Sequence, residues 1–257
     1  WLRGEDNGVM GEPRVSVFVM GANKWRQSEE WPFKGTKFTK FYFHSGGQAN
    51  SLNGDGGLSR RPQEDDPYDI YVNDPFYPVP SMGGRSCCLA SLAPMGPMDQ
   101  RPVETRNDVL VFDTARLAQD VAVIGPIDVT LFASSSADDT DFTVKLVDVY
   151  PDGRAFNIVD SIQRASHRES SEKPSAIEPG KIYEYNFRVG STAIRFAKGH
   201  RIRVEIASTN FPTFERNLNK FRKKRDGGYF DGQVATQRFF HDLEHPSHIT
   251  LPIVRSA

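Results

Sequence analysis

The chain has 257 residues, 38% of them hydrophobic, with 32 basic and 33 acidic side chains and a formal net charge of -1. That balance excludes a whole-surface attraction to nucleic acid or to an anionic membrane, and no apolar run approaches the roughly 20 residues a membrane helix needs. Two cysteines cannot build a disulfide framework, so the fold must rest on its core, and they permit a cytoplasmic protein without requiring one.

The chain opens without Met, on Trp1 and Leu2, followed by Arg3-Gly4-Glu5-Asp6-Asn7-Gly8. Apolar residues at an extreme terminus have nothing to pack on. The segment reads as the last turn of a helix begun upstream, with Gly4 or Gly8 as its stop; a natural terminus after processing is the other reading. Residues 1–12 are therefore set apart from a domain spanning 13–257.

Arg14–Met20 alternates and is rich in β-branched residues, the pattern of a strand. Gly21 to Trp25 turns, and Trp31-Pro32 ends in a breaker. Phe38–Phe43 is a second strand. Residues 44–108 read as mostly irregular, wrapping the surface, with one short strand near Gly57-Leu58-Ser59; a stretch this long without regular structure is often functional. Strands then follow quickly: Val109–Phe112, Val121–Ile124, Ile127–Ala133 and Phe142–Val149. Pro151-Asp-Gly153 makes a hairpin turn into Ala155–Arg164. Ile182–Val189, Arg201–Ala207, Ala235–Phe240 and Ile249–Val254 complete the series. A helical turn is expected only at Thr114–Asp120. With 21 Gly, 17 Pro and 18 Phe, these spacings predict two antiparallel sheets packed face to face. Val17, Val19, Leu131, Val144, Leu146, Val204 and Ile206 are the expected core.

The G-x-S-x-G elbow of an α/β serine hydrolase is absent. Phe43-His-Ser45-Gly-Gly47 and Val79-Pro-Ser81-Met-Gly83 both lack the first Gly, and Gly84-Arg-Ser86-Cys-Cys88 lacks the last. No dinucleotide fingerprint or Walker A loop occurs. The cluster His241-Asp242-Leu-Glu244-His245-Pro-Ser-His248 has metal-ligand chemistry, but Pro246 and the spacing favour a strand-turn-strand, and no metal or other cofactor is expected. Asp138-Asp139-Thr140-Asp141 lacks the Gly and distal Glu of a calcium loop and reads as a hairpin loop capping backbone N–H groups. The basic run Lys220–Arg225 reads as a solvated loop. Cys87 and Cys88, adjacent, read as small hydrophobes packing a loop.

Several stretches taken together resemble one family. They are Val17-Phe-Val-Met-Gly21 with Trp25-Arg26 and Glu30-Trp31-Pro32, and Tyr68–Pro80 (Y-D-I-Y-V-N-D-P-F-Y-P-V-P) leading into Gly83-Gly84. Asp99–Glu104, Arg106–Leu110, Asp139–Phe142 and Leu146–Val149 with Pro151–Arg154 follow. Gly199–Arg203, Ser208–Pro212 with Arg216-Asn217, and His245–His248 complete the set. Their order is similar to that in the C-terminal domain of cocaine esterase, α-amino-acid ester hydrolases and X-Pro dipeptidyl-peptidases, the CocE/NonD hydrolases. The resemblance implies an all-β, jelly-roll-like, galactose-binding-like sandwich with little helix. It packs on an α/β-hydrolase domain that holds the whole Ser-His-Asp triad, so this chain alone is expected to be inactive. It further implies hairpin turns at Asp139–Asp141 and Pro151–Gly153, and backbone contacts for His200 and Arg201.

In such enzymes the loop after the Gly-Gly pair can lie toward the substrate, which makes Cys87, Cys88 and Leu89 candidates for a pocket wall; packing on the chain's own sandwich is the other reading. Trp1, Leu2, Trp25, Trp31 and Leu92 are candidates for the face that meets the hydrolase domain, a face expected to self-associate if left bare. A different class of function stays open: a self-contained carbohydrate-binding sandwich using Trp25, Trp31 and tyrosines as a stacking platform.

Overall fold

The computed structural model describes residues 3–62, 64, 67–85, 91, 94–221, 228 and 230–254. Among them the chain forms β1 (Val15–Val19), β2 (Lys24–Ser28), β3 (Lys37–His44), β4 (Gly57–Ser59) and β5 (Asp69–Asn73), then the single-turn helix α1 (Arg101–Glu104) and β6 (Leu110–Asp113). β7 (Val121–Ser135), β8 (Asp141–Val149), β9 (Ala155–Arg164), β10 (Tyr183–Phe196), β11 (Arg201–Ala207), β12 (Ala235–Phe240) and β13 (His248–Val254) follow. β1 and β2 make a separate ribbon. The other strands bond in the order β5-β12-β7-β13-β3-β4-β6-β11-β8-β9, with β10 on the second edge of β7.

The result is a β-sandwich. One layer holds β5, β12, β7, β10, β13 and β3; the other holds β6, β11, β8 and β9. Short β4 joins them, antiparallel to β3 and parallel to β6 through Gly57 and Asp113. The two layers pack face to face as expected, and hydrogen bonding is continuous between them through β4. The inner faces share one apolar core. Phe43 of β3, Phe112 of β6 and Phe239 of β12 meet with ring centroids 4.8–5.6 Å apart, and Phe142 of β8 meets Tyr185 of β10 at 4.8 Å. Such pairs add about 0.5–1.5 kcal/mol each beyond their burial.

Six of the seven expected core residues are buried: Val19, Leu131, Val144, Leu146, Val204 and Ile206. Val17 is only half-buried, because it sits on the two-stranded ribbon and packs against a satellite cluster around Val19, Phe33, Ile124 and Val254. Val121–Ile124 and Ile127–Ala133 are one strand. Gly125-Pro126 does not break it, because residues 124–127 bulge opposite only residues 251–252 of β13 while pairing with β10 continues; the N–H that proline lacks is not required there. β10 likewise runs past Val189 to Phe196 through a register shift at Gly190. A side chain at Gly190 would collide with Val159 Cγ2 of β9, so the glycine lets the two layers approach at that edge.

The 44–108 stretch holds β5 and α1 as well as β4, and β2 occupies a region read as turn. Thr114–Asp120 is not helical. The segment 138–140 is not a hairpin either: β8 pairs with β9 and β11, not with β7, so this loop carries the chain from one layer to the other. Pro151–Gly153 is the β8–β9 hairpin turn, as expected.

Candidate functional site

Three residues of hydrolase-triad type do come together. Ser45 Oγ donates to Asp69 Oδ2 at 2.8 Å and lies 3.2 Å from His241 Nε2, which lies 3.0 Å from the same Asp69 oxygen. In a working triad the acid holds Nδ1 while the nucleophile sits at Nε2. Here one nitrogen faces both partners. The Asp69 and His241 side chains have no exposed surface, so no ester can reach them. Ser45 Oγ also accepts from Gly47 N, and Asp69 Oδ1 from Ala49 N. The cluster ties the ends of β3, β5 and β12 together. It is a structural device built on the near-elbow at Ser45.

The loop after Gly83-Gly84 has a defined stem. Gly84 and Gly96 exchange N–H···O bonds at 2.8 and 3.0 Å, closing the loop at its neck. Asn157 of β9 fixes that neck: its Oδ1 accepts from Met98 N at 2.7 Å, and its Nδ2 reaches Gly96 O. Arg85 donates to the Asp160 carbonyl at 2.8 Å. Gly83 has φ +76°, and a Cβ there would run into the Gly96 carbonyl, so only glycine fits the neck. The pocket candidates Cys87, Cys88 and Leu89, with Leu92 of the same loop, lie outside the described residues, as do Trp1 and Leu2.

Beneath this stem is a buried charged seat that strand patterns do not announce. Gln100 Nε2 donates to the Met82 and Met98 carbonyls, and its Oε1 accepts from Lys145 Nζ at 2.7 Å. Lys145 also meets Glu205 Oε2 at 3.0 Å. Arg203 grips Asp113 with two bonds of 2.6 and 2.7 Å and reaches Glu104 Oε2 at 2.6 Å. Burial, reinforced by the Glu205 carboxylate, pushes Glu104 up to about 8 against the pull of Arg203. Burial also raises Asp160, with Lys145 and Arg85 opposing. The missed signal was two charged residues at alternate positions, Arg203 and Glu205, inside an apolar strand, with Lys145 placed likewise in β8.

Trp25 is 69% exposed on the outer face of the ribbon, edge-on to its cross-strand partner Phe18 at 5.7 Å. Trp31 is also exposed and packs on Phe33. The remaining motifs take structural posts. Asp139 Oδ1 caps Thr140 N and Ser166 N, and Asp138 Oδ1 caps Phe221 N. Asp141 instead pairs with Arg164 at 2.9 Å. His245 pairs with Asp242, and His248 Nδ1 faces the Pro246 carbonyl. Arg201 donates to the Thr114 carbonyl, as expected, but His200 sits 2.8 Å from the Asp148 carboxylate and stacks on Tyr150. That corrects the reading of His200 as backbone-bonded, since β8 brings Asp148 opposite it. Residues 222–227 of the basic run lie outside the described set; Lys220 pairs with Asp231.

A family model described as the X-Pro dipeptidyl-peptidase C-terminal non-catalytic domain matches residues 7–250. The chain belongs to this family. Cocaine esterase of Rhodococcus sp. (strain MB1 Bresler) is 43% identical over 260 residues, covering 99% of this chain and 44% of the esterase. An aminopeptidase from a marine sediment Thaumarchaeota archaeon superposes with a TM-score of 0.84 at 29% identity, over 95% of this chain and 41% of that one. An α-amino acid ester hydrolase gives 0.83 at 30% identity, over 94% and 41%. The chain thus spans less than half the length of these relatives. As a non-catalytic domain of this family, it carries a Ser-His-Asp cluster whose geometry serves the fold.

Proposed function

We propose that residues 13–257 form the C-terminal β-sandwich of a serine ester or amide hydrolase of the X-Pro dipeptidyl-peptidase or acyl-esterase type. Residues 1–12 are the exit from an α/β-hydrolase domain of the same polypeptide, on which the sandwich packs. The necked loop 85–95, with Cys87, Cys88 and Leu89, helps wall that domain's pocket for a small ester or amide. Trp1, Leu2, Trp25, Trp31 and Leu92 belong to the domain interface. One observation carries the reading: nearly the whole chain matches one part of larger hydrolases, while its own Ser45, His241 and Asp69 are buried and wired for structure. The neck supports the loop's role, because a loop held by a rigid scaffold can present side chains outward.

The parent's chemistry is acyl transfer through a serine acyl-enzyme, and the triad lies outside this chain. A fluorophosphonate probe is expected to label the intact parent and to leave this 257-residue chain unlabelled. Labelling of the chain at Ser45 would sink the proposal, and saturable binding on a glycan array would favour the carbohydrate-binding alternative. Sedimentation of the chain at high concentration is expected to show self-association through the face around Trp25.

A further inference from the structure

Glu104 and Glu205 stand out within the charged seat. Each has one oxygen taken by a cation: Arg203 Nη1 at Glu104 Oε2 and Lys145 Nζ at Glu205 Oε2. Among the described residues, the Oε1 atom of each is buried without a hydrogen-bond partner. Glu104 is fully buried and Glu205 nearly so. Two such buried acceptors, with no donor among the described residues, each cost free energy, unless a proton lies between them.

The charges around them agree. From β11 come Arg203 and Glu205, from β6 Asp113, from β8 Lys145, from β9 Asp160, and from α1 Glu104 itself with Arg101, whose guanidinium pairs with Asp99. Arg85 reaches the rim through the Asp160 carbonyl. Glu104, Glu205, Asp113 and Asp160 thus face two buried cations, Lys145 and Arg203, so the seat holds more carboxylates than buried counter-charges. We propose that Glu104 and Glu205 hold one proton between their Oε1 atoms at neutral pH, and that this proton locks the seat on which the stem residues 80–85 and 94–104 rest. On deprotonation the proton leaves to water, both carboxylates are charged, and the repulsion falls on α1. From α1 it reaches Gln100 and the stem at Met82, Met98 and Gly96. The shared proton stands whatever the parent catalyses; its effect on a substrate pocket rests on the function proposed above.

The test is 13C NMR of the chain labelled at glutamate Cδ, titrated from acid to alkaline pH. One glutamate carbon is expected to titrate near pH 8, and the Gly84, Gly96 and Met98 amide signals should move with the same midpoint. Glutamate carbons that all titrate in the ordinary carboxylate range would overturn the proposal. Amides that ignore the titration would overturn its coupling to the loop. The variant E104Q supplies a permanent N–H donor to Glu205. The native proton is bound above the unfolded value of 4.5, so its stabilisation is full below that pH and is lost as pH rises toward 8. Relative to E104Q, the wild-type folding equilibrium constant should fall about tenfold per pH unit across that window. A pH-independent ratio would overturn the shared proton. Should E104Q not fold, the wild-type titration decides alone.

Discussion

β8 and β10 are both long antiparallel strands flanking the same core, yet every residue of β8 is buried while β10 alternates between buried and solvated positions. The difference lies in what covers the outer face. Outside the first half of β10, residues 183–188, is water, and the β1–β2 ribbon meets the strand only near residues 193–195. Outside β8 and β11 lie residues 77–85 and 94–105, with Val79 and Val103 packed beside Val109, Val111 and Ala207 and the charged seat beside them. The same arginine chemistry appears in both places. Arg203 grips Asp113 under the cover with its side chain 5% exposed, whereas Arg188 grips Asp128 on the open face of β10 with 59% exposed. A covered face makes its polar groups depend on one another; an open face lets water stand in for a lost partner.

Substitutions can break this comparison. The largest loss is expected at the shared core: Phe43→Ala removes the ring common to the Phe112 and Phe239 contacts and should cost about 4 kcal/mol in urea unfolding. Arg203→Met should cost about 3 kcal/mol, since it leaves Glu104 buried and Asp113 half-buried without their cation; a loss below about 1 kcal/mol would mean that water reaches the seat. Gly83→Ala forces a side chain into the left-handed neck against the Gly96 carbonyl and should cost about 2 kcal/mol, with enhanced proteolysis inside the 85–95 loop. Arg188→Ala, with the same bidentate geometry on the open face, should shift stability by no more than about 0.5 kcal/mol. Equal effects at Arg188 and Arg203 would erase the distinction between the two faces.

The strands were legible wherever alternation or a turn residue marked them. Ala155–Arg164, Arg201–Ala207 and Ala235–Phe240 have the ends expected from sequence, because local sterics and one-sided burial act on neighbouring residues. The seat was not legible. Lys145, Arg203 and Glu205 look like outward-facing residues of half-exposed strands, and what buries them is a segment 45 to 99 positions earlier in the chain. The Ser45–His241–Asp69 cluster was hidden for the same reason: its members lie 24 to 196 residues apart.

By itself the sequence determined an all-β sandwich of this family without its own nucleophile elbow, since turn chemistry, periodicity and motif order are local properties. Only the tertiary structure decided that the chain crosses between layers at 138–140, that β4 ties the layers into one hydrogen-bonded sheet, and that four carboxylates meet two cations beneath the loop neck. Those outcomes depend on which distant segments exclude water from one another, and burial of that kind is a property of the folded chain as a whole.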